Sequence, residues 1–314
     1  MRCTILCRPF TIYELAGVMQ KGSFKTSNSF ICYQIFLEVL YMRSSCIRHA
    51  YGSNNLDNIQ RQCPYLFGNT YAQLHTNSSG GTMVQRVSFP TDDGVLIVGT
   101  YYPPALSHQT TPAKAIILLH MLGRDRNDWN AFASILSNSS NGYAVLSIDL
   151  RGHGESTSQN GKMISFQSFS PDDFNKMVLD VKAAKDFLMT QKHIGPNNIA
   201  VVGASIGANV GLKYAASDPS IKAIVLLSPG LNYMGVTTSD SIRKYINPIY
   251  IAAAGKDPIA GSDPQTLCNM INCGNHLKIY QDSTSHGTDM FTDSALNPPL
   301  DKLIISWLDA TLAK

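Results

Sequence analysis

Charge is scarce in this 314-residue chain. Asp, Glu, Lys and Arg make up 15% of it, and the formal net charge is only +3. So small an imbalance leaves no electrostatic footprint for a nucleic-acid partner or an anionic membrane. Long hydrophobic runs are missing too. No stretch approaches the roughly 18 to 20 uninterrupted apolar residues of a membrane span. The nearest, "FICYQIFLEVLYM" from Phe30, is too short, contains Glu38, and lies behind Lys21 and Lys25, too far in for a secretory signal core. There is no CxxC pair to suggest zinc, no G-x-G-x-x-G dinucleotide fingerprint, no internal repeat and no long low-complexity segment. The seven cysteines are an odd number and cannot all pair internally. Their spacing is not that of a secreted framework, so reduced thiols in a cytoplasmic protein are expected.

What is present is unevenly spread. Before Met83 there are seven Lys/Arg against three Asp/Glu, and Cys3, Cys7, Cys32, Cys46 and Cys63 all lie there. Residues 1–82 show no clear periodicity and end in "HTNSSGGT", a linker-like cluster. The expected organisation is therefore a non-core segment, 1–82, and a folded domain, 83–314. The segment is basic and poor in acid, as a transit leader would be, but no Arg-rich amphipathic helix is evident. It is expected to be dispensable, as upstream sequence read through before a start at Met83.

From Met83 the pattern changes. "VQRVSF" and "VLIVGTYYP" flank the turn signal "PTDDG" and read as a hairpin. Six strand candidates follow, separated by helical stretches: "AIILLH", "AVLSIDL", "IAVVGAS", "AIVLLSP", "PIYIAAAG" and "HLKIYQD". Their continuous apolar character suits strands covered on both faces by helices in a mostly parallel sheet. "SPDDFNKMVLDVKAAKDFL" predicts one helix with Ser170 as N-cap and Pro171 at its first position. The last helix places Leu300, Leu303, Ile304, Trp307 and Leu308 on one face.

The stretch "GASIG", residues 203–207, puts a serine between two glycines where a strand turns into a helix. This fits the G-x-S-x-G nucleophile elbow, in which glycines clear the neighbouring strand and helix while the serine hydroxyl projects above the sheet. The N–H of Ile206 then lies at a helix N-terminus, aimed where an oxyanion would form. A serine needs a base, and the base an acid to fix its tautomer. In chain order, Asp257 stands just past "PIYIAAAG" and His286 just past "HLKIYQD". Asp263 also precedes a proline but lies further from its strand end, and His276 begins its strand at the opposite edge. The loop after "AIILLH", His120-Met121-Leu122-Gly123-Arg124, is placed to supply a second oxyanion donor, the Leu122 N–H.

With "LLHMLG", "SIDLRGHGES", "GASIG", "AGKDP" and "SHGT" in order, residues from about Met83 onward resemble the α/β-hydrolase superfamily, in its esterase and dienelactone-hydrolase-like part. The resemblance implies an α/β-hydrolase fold with a mostly parallel central sheet of about eight strands and helices on both faces. It implies a Ser205–Asp257–His286 triad acting on carboxylic esters through an acyl-enzyme. Many relatives have His-Gly after the oxyanion strand; Met121 takes the glycine's place here and is expected to narrow the acyl pocket. His153 is expected to support its loop rather than to catalyse. Only about twenty residues separate "AIVLLSP" from the next strand, too few for a large cap domain. An open site suits short or medium acyl chains, with Tyr233 and Met234 on its wall. No cofactor or metal is required, and the expected partner is a small-molecule ester. A thioesterase or small-peptide hydrolase would use the same triad, and a non-catalytic scaffold is the remaining alternative.

Overall fold

The computed structural model describes residues 83–104, 113–139, 142–191 and 194–312. The segment 1–82, including five of the cysteines, lies outside the described residues. Among the described residues, twelve strands run in chain order: β1 Gln85–Pro90, β2 Val95–Tyr102, β3 Ala113–Leu119, β4 Ala144–Ile148, β5 Ser158–Gln159, β6 Lys162–Met163, β7 Ile194–Ala204, β8 Ile221–Leu227, β9 Asn232–Tyr233, β10 Val236–Thr237, β11 Ile249–Ala254 and β12 Leu277–Tyr280. The helices are α1 Asn130–Asn138, α2 Pro171–Asn175, α3 Val178–Met189, α4 Ile206–Ala215, α5 Ser239–Lys244, α6 Asp263–Ile271 and α7 Leu300–Leu312.

The main sheet runs β12-β11-β8-β7-β3-β4-β2, with β1 antiparallel on β2 and the short β5–β6 hairpin extending from β2. From β4 to β12 every pairing is parallel. β1 and β2 are the expected hairpin, and the six other long strands are the six expected. Period-2 alternation sorts the sheet between two cores. Ile117, Leu119, Val201, Ile224 and Leu226 join the α3 and α4 side, which includes Val181, Val210 and Leu212. Ile116, Leu118, Val202, Val225 and Leu227 join the α1 and α7 side, which includes Phe132, Leu136, Ile304 and Leu308. Burying each such Leu or Ile side chain contributes about 1.5–3 kcal/mol, so both faces hold the sheet.

Two local expectations fail. The helix expected from Ser170 breaks into α2 and α3 at Lys176–Met177. There i→i−3 bonds, Met177 N–H to Phe174 and Leu179 N–H to Lys176, replace the α pattern while Phe174, Met177 and Val181 stay buried on the sheet. Reduced thiols were expected throughout, yet Cys268 and Cys273 form a disulfide with their Cα atoms 5.0 Å apart. The cause is the end of α6: Asn272 takes the left-handed conformation (φ 50°, ψ 49°) and turns the chain back, so that the Cys273 N–H bonds to the Cys268 carbonyl at 3.1 Å.

Between β8 and β11 the chain forms only the β9–β10 hairpin and α5, with no large cap domain. No described helix is long and apolar enough to cross a membrane. Among the described residues, no group of three or more His, Cys, Asp or Glu side chains is placed to hold a metal ion.

Candidate active site

In a parallel sheet the loops leaving the carboxyl ends of the strands share one edge, and here that edge gathers Leu122, Ser205, Asp257 and His286. Ser205 joins β7 to α4 with φ 53° and ψ −122°, a conformation that L-residues avoid at a cost of about 1–3 kcal/mol. The surroundings fix it. The Ser205 N–H bonds to the Leu227 carbonyl at 2.8 Å, and the Ser205 carbonyl accepts from Ala208 and Asn209.

The flanking glycines are steric requirements. A Cβ on Gly203 would lie 2.3 Å from the Gly207 carbonyl oxygen, and one on Gly207 would lie 2.5 Å from the carbonyl oxygens of both Leu119 and His120. α4 can therefore start hard against the end of β3 only without side chains at these positions. The first N–H groups of a helix have no intrahelical partner, and the Ile206 N–H is the first of α4. The Ile206 side chain is buried in the core, while Leu122 is exposed.

Asp257 follows β11 and is buried. One carboxylate oxygen accepts from the N–H groups of Ile259 (2.8 Å) and Ala260 (3.2 Å), and the other meets His286 Nδ1 at 2.7 Å. Burial raises the Asp257 pKa, but the hydrogen bonds from His286 and from these two N–H groups outweigh it and hold the carboxyl below its ordinary value. The acid partner of His286 is thus ionised and orients the ring so that Nε2 faces away from it. Asp263 is engaged elsewhere and accepts the Leu231 N–H at 2.8 Å. His276 lies at the opposite end of β12, where its Nδ1 accepts from Trp307 Nε1 at 3.3 Å.

The pocket candidates separate. The Tyr233 ring stands edge-on to His286, with centroids 6.3 Å apart, and its hydroxyl donates to the Ser228 carbonyl at 3.2 Å. Met234 sits exposed at the tip of the β9–β10 hairpin with φ 53°, where Asn or Gly would be usual. Met121 is buried, and its sulfur occupies the space that a Cβ on Gly287 would need. Its bulk therefore supports the histidine loop from within.

The signature loop after β4 is held by buried polar groups. Asp149 accepts the N–H groups of Arg126 and Glu155, both at 2.8 Å, and pairs with the Arg126 guanidinium. A side chain at Gly154 would collide with that carboxylate. Arg151 binds Asp180 and Asp93. His153 stacks on Phe166, centroids 4.1 Å apart, and its Nδ1 donates to the Arg151 carbonyl at 3.0 Å.

Four further residues at this edge, Ser228, Asn209, Asp128 and Thr288, belong to no recognisable sequence motif. Ser228 ends β8 with φ 46°, is fully buried, and accepts the Gly287 N–H at 3.0 Å, directly beside His286. Asn209, one turn after Ser205, binds Gly230 and Val236 and fixes the loop that carries Tyr233. A Ser-Pro-Gly at a strand end was the only sequence signal for the first, and the others carried none.

Strand order, elbow and edge together define the α/β-hydrolase fold, and this chain has that fold. The family described as serine aminopeptidase, S33, matches residues 110–255. The chain is similar in structure to the Pyrococcus furiosus esterase Pf2001, with TM-score 0.57 and 16% identity over 74% of this chain and 94% of that one. It is also similar to an acetyl xylan esterase from Paenibacillus sp. R4, with TM-score 0.59 and 18% identity over 77% and 88% of the two chains. A thermostable carboxyl esterase from Bacillus coagulans gives TM-score 0.57 and 15% identity over 73% and 99%. No curated protein sequence matches the chain.

Proposed function

We propose that this protein is a serine hydrolase that cleaves carboxylic esters of short to medium acyl chains through an acyl-enzyme intermediate. The observation that carries the reading is the bond of His286 to the buried Asp257 carboxylate at 2.7 Å, on the same sheet edge as a serine held in the elbow conformation. Esterases among the structural neighbours and the small β9–β10 insertion support it.

His286 Nε2 takes the Ser205 hydroxyl proton as the oxygen attacks the ester carbonyl. Asp257 keeps the proton of the other ring nitrogen in place and stabilises the imidazolium. The N–H groups of Ile206 and Leu122 receive the developing oxyanion, each worth about 3 kcal/mol in the transition state. His286 then protonates the leaving alcohol and activates the water that releases the acid. Tyr233 borders the substrate on the histidine side. Residues 83–314 form the catalytic domain, and a chain beginning at Met83 should be soluble and active.

Hydrolysis of p-nitrophenyl acetate, butyrate, octanoate and palmitate by the native chain and by Ser205→Ala tests the reading. Preference for the short chains, abolished in the variant, supports it; full activity in Ser205→Ala removes it. The S33 match favours a second reading, a small-peptide hydrolase with the same residues. Turnover of aminoacyl p-nitroanilides in preference to the esters would select it.

A further inference from the structure

We propose that Asp128 and Thr288 are positioning residues whose hydrogen bond braces the loop of His286 against the loop of the Leu122 amide, fixing the separation of base and oxyanion donor. The inference rests on the roles proposed above for those two loops.

Thr288 lies two residues after His286, is buried, and donates through Oγ1 to Asp128 Oδ2 at 3.0 Å across 160 residues of chain. Asp128 belongs to the 3₁₀ turn Arg126–Trp129 that closes the loop after β3. The same carboxylate accepts Arg124 Nε at 2.9 and 3.1 Å. The Arg124 N–H in turn donates to the Met121 carbonyl at 3.2 Å, so a turn is closed around Leu122 and Gly123. Arg124 also reaches Asp289 at 3.4 Å, but that pair is half-exposed and contributes little. The Thr288–Asp128 bond is shielded and charge-assisted, which makes it the stronger tie.

The histidine loop is also held on its sheet side, by Ser228 on the Gly287 N–H and by Met121 beneath Gly287. Further on, the Phe291 ring packs on Trp129 and Phe132, with centroids 5.7 and 4.7 Å apart. Thr288 adds a directional tie two residues from His286, and its partner is on the loop whose amide must face the same carbonyl carbon. Near-attack geometry is unforgiving: displacement by about 1 Å from outside the reacting groups can cost 10²-fold in rate.

The test uses the full chain and p-nitrophenyl butyrate. Thr288→Val keeps the shape and removes only the hydroxyl. The expected result is a kcat lower by about 10- to 100-fold with little change in KM, since the loss falls on the transition state. Thr288→Ser should recover most of that rate, and Asp128→Ala combined with Thr288→Val should be no slower than the slower single variant, as for two halves of one contact. Asp128→Asn, which keeps an oxygen for the Thr288 hydroxyl, should lose less than Asp128→Ala and serves if Thr288→Val does not fold. A native kcat in Thr288→Val, equal losses in Thr288→Ser and Thr288→Val, or additive losses in the double variant would overturn the brace. An inactive Ser205→Ala beside a full-rate Thr288→Val removes the brace alone; an active Ser205→Ala removes the parent reading first.

Discussion

Replacing Gly207 by alanine tests whether close backbone approach sets the site. The new Cβ would stand 2.5 Å from two carbonyl oxygens, those of Leu119 and His120, and 2.8 Å from the Leu119 carbonyl carbon. Ordinary carbon–oxygen contacts begin near 3.3 Å, so α4 and the end of β3 must part by about 1 Å. Both obstacles are backbone and cannot rotate away. Overpacking of this kind costs about 1–3 kcal/mol, partly offset by the gain of about 1 kcal/mol when alanine replaces a helical glycine. At roughly 2–4 °C per kcal/mol for a domain of this size, Tm falls by a few degrees. The rate should suffer more, because α4 begins at the Ile206 amide and the shifted strand end leads into Leu122, so kcat falls by about 10²-fold. Gly211→Ala is the control. On the same helix, its Cβ would meet methyl groups of Val201 at 2.9 Å and Leu119 at 3.2 Å, side-chain rather than backbone atoms, so the strain falls on core packing and not on the elbow. It should leave kcat within about threefold of native. Differential scanning fluorimetry and ester turnover read both variants. A fully active Gly207→Ala, or equal losses in the two, would refute the argument.

Asp257→Asn should lower kcat by about 10⁴-fold while leaving Tm within a few degrees, since the amide preserves the shape but favours the wrong histidine tautomer; an activity loss under tenfold would argue against the pairing. Ser228→Ala strands the buried Gly287 N–H and should cost about 1–3 kcal/mol in urea unfolding, with an unchanged midpoint as the contrary result. Burial holds His120 at a pKa of about 4 and, with the nearby His120 ring adding to it, His153 at about 4, both below the ordinary 6.5. Their neutral forms are native, so stability is complete above pH 6.5 and falls as pH drops toward 4, by up to about 1.4 kcal/mol per pH unit for each. Denaturation midpoints that stay level between pH 7 and pH 5 would sink this prediction.

What the sequence revealed and what it concealed divide along the range of the interactions. Ser205 was legible because its constraints are local: Gly203 and Gly207 answer clashes that any strand-to-helix elbow creates. Asp257 and His286 were legible because a parallel sheet turns chain order into position along one edge. Ser228, Asp128 and Thr288 were not, since their roles depend on which loops meet across the edge. An isolated Asp or Thr in a polar loop carries no trace of a partner 160 positions away. Met121 was legible as an unusual residue but not as a buried one, because the missing Cβ that makes room for it belongs to Gly287. The disulfide was hidden for a similar reason: the two cysteines are brought together by a left-handed Asn272, a choice that few residue types advertise.

His120 shows how such contacts bind stability to function. The Leu150 N–H donates to its Nε2 at 3.0 Å, so that nitrogen must carry a lone pair. The proton therefore sits on Nδ1, which donates to the Met121 carbonyl at 2.7 Å. One neutral ring thus ties the loop after β3 to the loop after β4, and it does so only in this tautomer. A second proton would turn Nε2 into a donor facing the Leu150 N–H, a repulsive contact at a fully buried ring. The Met121 carbonyl also closes the turn around Leu122 through Arg124. One of the two buried rings that set acid sensitivity therefore also holds the amide assigned to the oxyanion.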